Sequence, residues 1–307
     1  MNIPAAPPQR LRAGDTIAIV APAGPLERRH LLEDGIAVIE RMGFRPRYEE
    51  RIFESNRYLA GDDASRAEEL LKAFENPSVH GILALRGGYG CSRLIPFLAE
   101  KRLRRNPKVF MGFSDLTTLH LYFRRRMGWI TFHGPMAATL GSISSGQEQH
   151  LLSLWTDPGY RPVFRFERLE TWSPGCAEGT LTGGCLSLVA ASIGTPYEIR
   201  TEGAILFLED QGEPPYRLDR MLTQLELAGK LQSVAGILLG EFRDCEPSDG
   251  NYTAWDCLHD ILRKFNVPIL AGFPAGHGDD NWTLPLGVRA RIDADARCVE
   301  ILDPSVE

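Results

Sequence analysis

Two hydrophobic rhythms alternate along the first half of the chain. Thr16-Ile17-Ala18-Ile19-Val20 is nearly all apolar, as a strand covered on both faces must be, and it runs into the turn-forming Ala21-Pro22-Ala23-Gly24-Pro25. Leu32, Ile36 and Ile39 then recur at i, i+4 and i+7, with Gly43 placed to stop a helix. Ala67, Leu70, Leu71 and Phe74 form a second helical stripe, closed by Asn76-Pro77. Gly81 to Leu85, Lys108 to Met111 and Trp129 to Phe132 read as further buried strands. Repeated βα units of this kind predict an α/β fold with a doubly wound, mostly parallel sheet over residues 1–140.

Between about Gly141 and Gly179 the pattern breaks into Gly/Ser-rich, Pro-Gly and mixed charged-aromatic text. We read 141–178 as a linker with one short helix near Gln147 to Trp155. Residues 179–307 contain apolar runs at Ala204 to Leu208, Val234 to Leu239 and Pro268 to Phe273, and a terminal pair, Val288 to Ile292 and Cys298 to Leu302, that flanks Asp293-Ala294-Asp295 as in a hairpin. A second, smaller domain with mixed strands is expected there.

Composition narrows the class. A chain that is 43% hydrophobic and 24% charged is built like a soluble globular protein. Its net charge of −6 gives no broad attraction to nucleic acid or to an anionic membrane. The basic run Lys101-Arg102-Leu103-Arg104-Arg105 reads as a solvated helix end. No stretch approaches the roughly 20 apolar residues of a membrane span, and Met1 to Arg10 lacks the apolar region of a signal peptide, so a cytoplasmic protein is expected. The six cysteines are scattered without a C-x-x-C pair, which predicts reduced thiols and speaks against disulfides and against a cysteine zinc site.

The candidate chemistry lies where apolar runs end. Val109-Phe110-Met111 leads into Gly112-Phe113-Ser114-Asp115-Leu116, and Leu116, Leu119 and Phe123 carry a helical pattern away from it, so Ser114 falls on a strand-to-helix turn. That is the setting of a nucleophile elbow, although the hydrolase pattern G-x-S-x-G has a glycine where Leu116 stands. Taken alone, the stretch supports an ordinary serine N-cap at least as well. Arg86-Gly87-Gly88-Tyr89-Gly90 follows another strand, and its glycine N–H groups are suited to stabilising a negative oxygen opposite Ser114. It matches neither a dinucleotide fingerprint nor a P-loop. Leu206-Phe207-Leu208-Glu209-Asp210 carries an apolar strand straight into two carboxylates, and His277 sits between two glycines just beyond another strand. The other six histidines read as helical, structural or solvent-facing. A serine, a carboxylate and a histidine, each at its own strand end, can fill the three roles of an acyl-transfer triad. Two other readings stay open at this level: a metal held by His277, Asp279 and Asp280, and a cysteine nucleophile at Cys91 or Cys185.

Four segments in order carry a resemblance: Arg86-Gly87-Gly88-Tyr89-Gly90-Cys91-Ser92-Arg93-Leu94, Gly112-Phe113-Ser114-Asp115, Leu208-Glu209-Asp210-Gln211-Gly212 through Arg220, and Gly272-Phe273-Pro274-Ala275-Gly276-His277 through Gly287. Together they closely resemble the serine LD-carboxypeptidases, the muramoyltetrapeptide carboxypeptidases to which the microcin C immunity peptidases are related. The resemblance spans about Leu11 to Leu302. It implies a class I glutamine amidotransferase-like N-terminal domain, a C-terminal swivelling β/β/α domain, an active site in the cleft between them, and a homodimer. It also implies Ser114 as nucleophile, His277 as general base, Glu209 as the acid that orients it, and the N–H groups of Asp115 and Gly88 as the oxyanion hole. One departure is visible, because Cys185 stands after Leu181-Thr182-Gly183-Gly184 where the family usually has Asn.

The function expected from residues and resemblance together is hydrolysis of the L-D amide bond that releases the C-terminal D-Ala of a murein tetrapeptide, through an acyl-enzyme. No metal or organic cofactor is expected. Arg86, Tyr89 and Trp172 are the candidate substrate contacts, with Arg86 reading equally as a structural ion pair. The alternatives are a microcin C-like peptidyl-nucleotide hydrolase using the same triad, with Phe166 and Trp172 as base-stacking residues or a hydrophobic lid, and a peptide-binding protein without catalysis.

Overall fold

The computed structural model describes residues 4–103, 107–247 and 252–307, and its chain divides into two compact units. The first comprises residues 1–160, 283–285 and 304–307; the second comprises residues 161–282 and 286–303.

In the first unit, β1 (Thr16–Val20), β2 (Arg45–Arg47), β3 (Gly81–Ala84), β4 (Val109–Gly112) and β5 (Thr131–His133) form a sheet in the order β5-β4-β3-β1-β2, parallel throughout. A late strand, Leu284–Leu286, adds to its β5 edge. Because side chains alternate along each strand, the continuous apolar runs feed two separate layers. Ile17, Ile19, Leu83, Met111 and Phe132 pack with Leu32, Val38 and Ile39 of the helix Arg29–Arg41 and with Leu151, Leu154 and Trp155 of the helix Ser145–Thr156. Phe110 instead meets Phe74 of the helix Asp63–Glu75 and Phe123 of the helix Thr117–Met127, with ring centroids 6.1 and 5.1 Å away. Helices therefore cover both faces, as the alternating pattern predicts.

The second unit is built on one eight-stranded sheet. Its strands are β6 (Val163–Phe164), β7 (Glu170–Ser173), β8 (Cys176–Cys185), β9 (Ala204–Gln211), β10 (Gly236–Arg243), β11 (Ile269–Ala271), and, after the strand Leu284–Leu286 of the other sheet (β12), β13 (Arg289–Asp293) and β14 (Cys298–Ile301). The order is β6-β14-β13-β8-β9-β10-β11-β7, parallel from β8 to β11 and antiparallel on both flanks. The terminal hairpin forms as expected, with Ile292 opposite Val299.

The stretch 141–178, read above as a linker, is divided between the units. Its helix buries Leu151, Leu154 and Trp155 in the first unit's core, and β6 and β7 complete the two edges of the second unit's sheet. Apolar side chains on the helix and backbone pairing on the strands are what draw this text into ordered structure. Within the basic run, Arg102 is ion-paired to Glu68 and Glu75 at 2.6 Å each, while Arg104 and Arg105 lie outside the described residues. Among the described residues no helix is long and apolar enough to cross a membrane.

One crossing tests the packing of the first layer. Gly35, inside the helix Arg29–Arg41, is in backbone contact with Ala137, so a Cβ there would overlap the Ala137 carbonyl group. Alanine ordinarily improves a helix interior, by about 1 kcal/mol over glycine. Here Gly35→Ala is expected to destabilise the protein by about 1–3 kcal/mol, measured as a lowered urea midpoint at unchanged slope.

Candidate active site

Ser114 lies in the first unit. β4 runs apolar to Gly112, and Phe113 is still extended at φ −147°. The backbone then reverses, with Ser114 at φ +64° in the left-handed region. For an L residue that conformation costs on the order of 1–2 kcal/mol, and it persists only where the surroundings fix it. The strand end two residues earlier is anchored: Gly112 O accepts the Gly134 N–H at 3.2 Å and lies 2.8 Å from His120 Nε2, whose Nδ1 is 2.9 Å from the Thr131 hydroxyl. Burial pushes His120 down to about 4, so this ring is neutral and serves as a strut. The helix Thr117–Met127 begins after a 3₁₀ turn, Ser114–Leu116, and Ser114 makes no side-chain cap in either element. The N-cap reading of Ser114 is thereby excluded. Leu116, at the place of the last hydrolase glycine, is fully buried.

The loop after β3 lies directly against this turn. A Cβ on Gly87 would stand 2.9 Å from Ser114 Cβ and 3.0 Å from its Oγ, so only glycine fits there. Gly87 O accepts the Gly24 N–H at 2.9 Å, which turns the Gly88 N–H to the opposite side of the same planar peptide. Asp115, the residue after the serine, is buried, and its Oδ2 accepts the Cys91 N–H at 2.7 Å. The side chains around the loop are engaged. Arg86 donates to Pro25 O at 3.0 Å and to Glu27 Oε1 at 2.6 Å, the structural ion pair that its sequence setting allowed. That hydrogen bond and the Arg86 charge hold the Glu27 carboxyl below its usual range. Tyr89 is exposed and pairs with exposed Tyr58, centroids 5.8 Å apart.

Glu209 and His277 lie in the second unit. Glu209, near the end of β9, has no exposure, and its Oε2 lies 2.6 Å from His277 Nδ1. With Nδ1–H donating to the carboxylate, the lone pair of the neutral ring is on Nε2. Burial opposes the charge on His277, but the Glu209 charge and hydrogen bond outweigh it, so the ring titrates above its ordinary 6.5. Gly276, at φ +115°, passes so close to the Glu209 side chain that it has no room for a Cβ, and a Cβ on Gly240 would overlap the Ala275 carbonyl oxygen of the same loop.

Asp210 points to the opposite face of β9, as strand alternation requires. It accepts the Ser187 and Gln211 N–H groups at 2.7 and 2.8 Å, and burial pushes it up to about 6. Cys185 fills the position where the resemblance implies Asn. Its thiol lies 3.4 Å from Asp210 Oδ1 and 3.2 Å from Ser187 Oγ, and β8 places it opposite Glu209.

The cysteine-nucleophile reading fails on this environment. Burial, with Asp115 beside Cys91 and with Glu209 and Asp210 beside Cys185, holds both thiols well above their ordinary 9.0, whereas a reactive cysteine needs a lowered value. Asp279 is ion-paired to Arg243 at 2.8 Å, and the described residues contain no group of three or more His, Cys, Asp or Glu arranged to hold a metal. Trp172 packs edge-on against Trp255 and His259, and Phe166 against Trp282 and Phe273, all within the second unit. The sequence reading missed the Asp115 carboxylate and Gly87. The acid beside the serine was a visible signal for the first; nothing in the Gly-Gly pair distinguished which glycine meets Ser114.

Known proteins give the same outline. Residues 17–134 match the model of the LD-carboxypeptidase N-terminal domain, and residues 178–292 that of the LD-carboxypeptidase C-terminal domain. The murein tetrapeptide carboxypeptidase of Pseudomonas aeruginosa is 33% identical over 288 residues, covering 91% of this chain and 93% of its own. The crystal structure of muramoyltetrapeptide carboxypeptidase from Oxalobacter formigenes superposes with a TM-score of 0.82 at 32% identity, over 94% of this chain and 99% of that one. The microcin C7 self-immunity protein shares the fold, with a TM-score of 0.91 at 23% identity over 98% of this chain and all of that one. Two matched domains and relatives along nearly the whole length establish that this chain belongs to the LD-carboxypeptidase family of peptidases.

Proposed function

We propose that this peptidase cleaves the L-D amide bond before the C-terminal D-Ala of a murein tetrapeptide, with Ser114, His277 and Glu209 as its triad. The observation that carries the reading is the buried 2.6 Å contact between His277 Nδ1 and Glu209, which leaves Nε2 as the basic atom. Ser114 on a strained turn against a glycine loop supports it, and so do relatives named for murein tetrapeptides. The same resemblance is the ground for proposing a cytoplasmic homodimer.

In this mechanism Ser114 Oγ attacks the amide carbonyl as His277 Nε2 takes its proton, and the oxyanion is bound by the N–H groups of Asp115 and Gly88. The C–N bond breaks as His277 returns the proton to the departing D-Ala amine. Water, deprotonated by the same histidine, then hydrolyses the Ser114 ester. Glu209 fixes the tautomer and stabilises the imidazolium. Arg86, Tyr89 and Trp172 remain the proposed substrate contacts; recruiting Arg86 to a substrate carboxylate would require it to exchange Glu27 for that group.

Ser114→Ala is expected to lower kcat by about 10⁴-fold or more, leaving only residual oxyanion-hole catalysis. Mass spectrometry of an L,D-tetrapeptide, its all-L counterpart and a peptidyl-nucleotide incubated with wild type should show release of D-Ala alone. Rapid cleavage of the peptidyl-nucleotide beside an inert tetrapeptide would transfer the assignment to that substrate class, and an active Ser114→Ala enzyme would remove the nucleophile.

The raised His277 value gives a second expectation. The free base is populated only above it, so the acid limb of kcat/KM should fall above pH 6.5, and Glu209→Gln should move that limb to lower pH while depressing the plateau. Because the folded value exceeds the unfolded one, the ion pair contributes stability that is complete below 6.5 and is lost as pH rises through the folded value. Glu209→Gln should therefore cost more unfolding free energy at about pH 6 than at about pH 9. An acid limb that does not move in the variant would detach Glu209 from His277.

A further inference from the structure

We propose that the Asp115 carboxylate is the positioning group that holds the loop Arg86–Gly90 onto Ser114. The inference rests on the reading of Ser114 as nucleophile and of this loop as part of its oxyanion hole. Asp115 then has two separable duties: its backbone N–H faces the oxyanion, and its side chain fixes the other donor of the pair.

The loop has little of its own to hold it there. Between Arg86 and Cys91 the chain is Gly-Gly-Tyr-Gly, the Tyr89 ring is exposed, and Gly87 touches Ser114 through backbone alone. Its near end is tied by Gly87 O to the Gly24 N–H and by Arg86 to Pro25 O. Its far end is tied by Asp115, whose Oδ2 takes the Cys91 N–H at 2.7 Å. Arg66 backs this end from the other side. It is fully buried, bonded to Pro22 O and Asp63, and so near Gly90 that a Cβ there would overlap its guanidinium, while its charge acts on Asp115.

Asp115 is 1% exposed, and burial raises its carboxyl above the usual range. Such a group is a costly acceptor for a loop amide unless the amide's location matters. It also directly follows the serine, so a displacement of the loop and a displacement of the nucleophile turn are transmitted through one residue.

The test compares Asp115→Asn, Asp115→Ala and Ser114→Ala, each shown to be folded by its melting curve, in L,D-tetrapeptide hydrolysis and in Ser114 labelling by a fluorophosphonate. Loosening the loop weakens stabilisation of charge that develops only in the transition state, so the loss should appear in kcat. Asp115→Ala is expected to lower kcat about 100-fold with KM within about threefold, and Asp115→Asn, which keeps one acceptor oxygen, about 10-fold. Labelling should slow in the same order. If Asp115→Ala does not fold, the near-isosteric asparagine variant decides. A kcat within about twofold of wild type in the folded variant, or a loss carried by KM, overturns the positioning role while an inactive Ser114→Ala leaves the nucleophile standing. An active Ser114→Ala protein instead overturns the reading beneath it.

Discussion

Glu209 is a carboxylate at the end of an apolar strand with no contact with solvent, and a charge so placed must find its partner within the protein. Much of the second unit's local architecture answers that requirement. β9 lies in the middle of the eight-stranded sheet, the loop after β11 brings His277 over the carboxylate, and Gly240 and Gly276 give up their side chains so that the approach can be close. The alternation of β9 then forces the neighbouring Asp210 to the other face, where backbone amides receive it. Two adjacent acids are thus given different environments by one strand: Glu209 meets an imidazole and Asp210 meets backbone amides.

The first unit meets a different constraint with comparable means. Ser114 is held in a conformation its residue type resists, so the strain must be offset by contacts formed elsewhere. The neutral His120 strut on Gly112, the helix that follows, and the loop packed against the serine all bear on four consecutive residues. A hydroxyl presented this way has few conformations to lose when it reacts, which is the physical value of a strained turn at such a place.

What the chain disclosed in advance follows from which interactions are local. Buried parallel strands are continuous apolar runs, so β1, β3, β4 and β9 were visible, and polar residues that interrupt the ends of such runs, Glu209 and His277, stood out against them. Ser114 was visible by position and not by conformation, since serine gives no hint of positive φ. β6 and β7 were hidden because two- and four-residue edge strands are stabilised by pairing with β14 and β11, more than a hundred residues away in one case and about a hundred in the other, and their own text is mixed. Arg66 was hidden for the opposite reason: it lies on the helical stripe of Ala67, Leu70 and Phe74, where a buried cation has no signature apart from its three-dimensional partners.

The first unit's composition has a consequence for how the protein is made. Its sheet takes its last strand from residues near 284, and residues 305–307 bond to its earlier segments: Arg10 N–H donates to Glu307 O, Glu307 N–H to Pro8 O, and the Ser305 hydroxyl to Leu154 O. A domain emerging first from the ribosome ordinarily folds before its successor is translated. Here the unit that begins first is completed only after most of its successor has been made. Until residues 284–286 have been made and have paired, β5 is an open edge of an unfinished sheet, a template for wrong pairing, and translation from one end to the other gives this unit a longer period of vulnerability than its place in the sequence suggests.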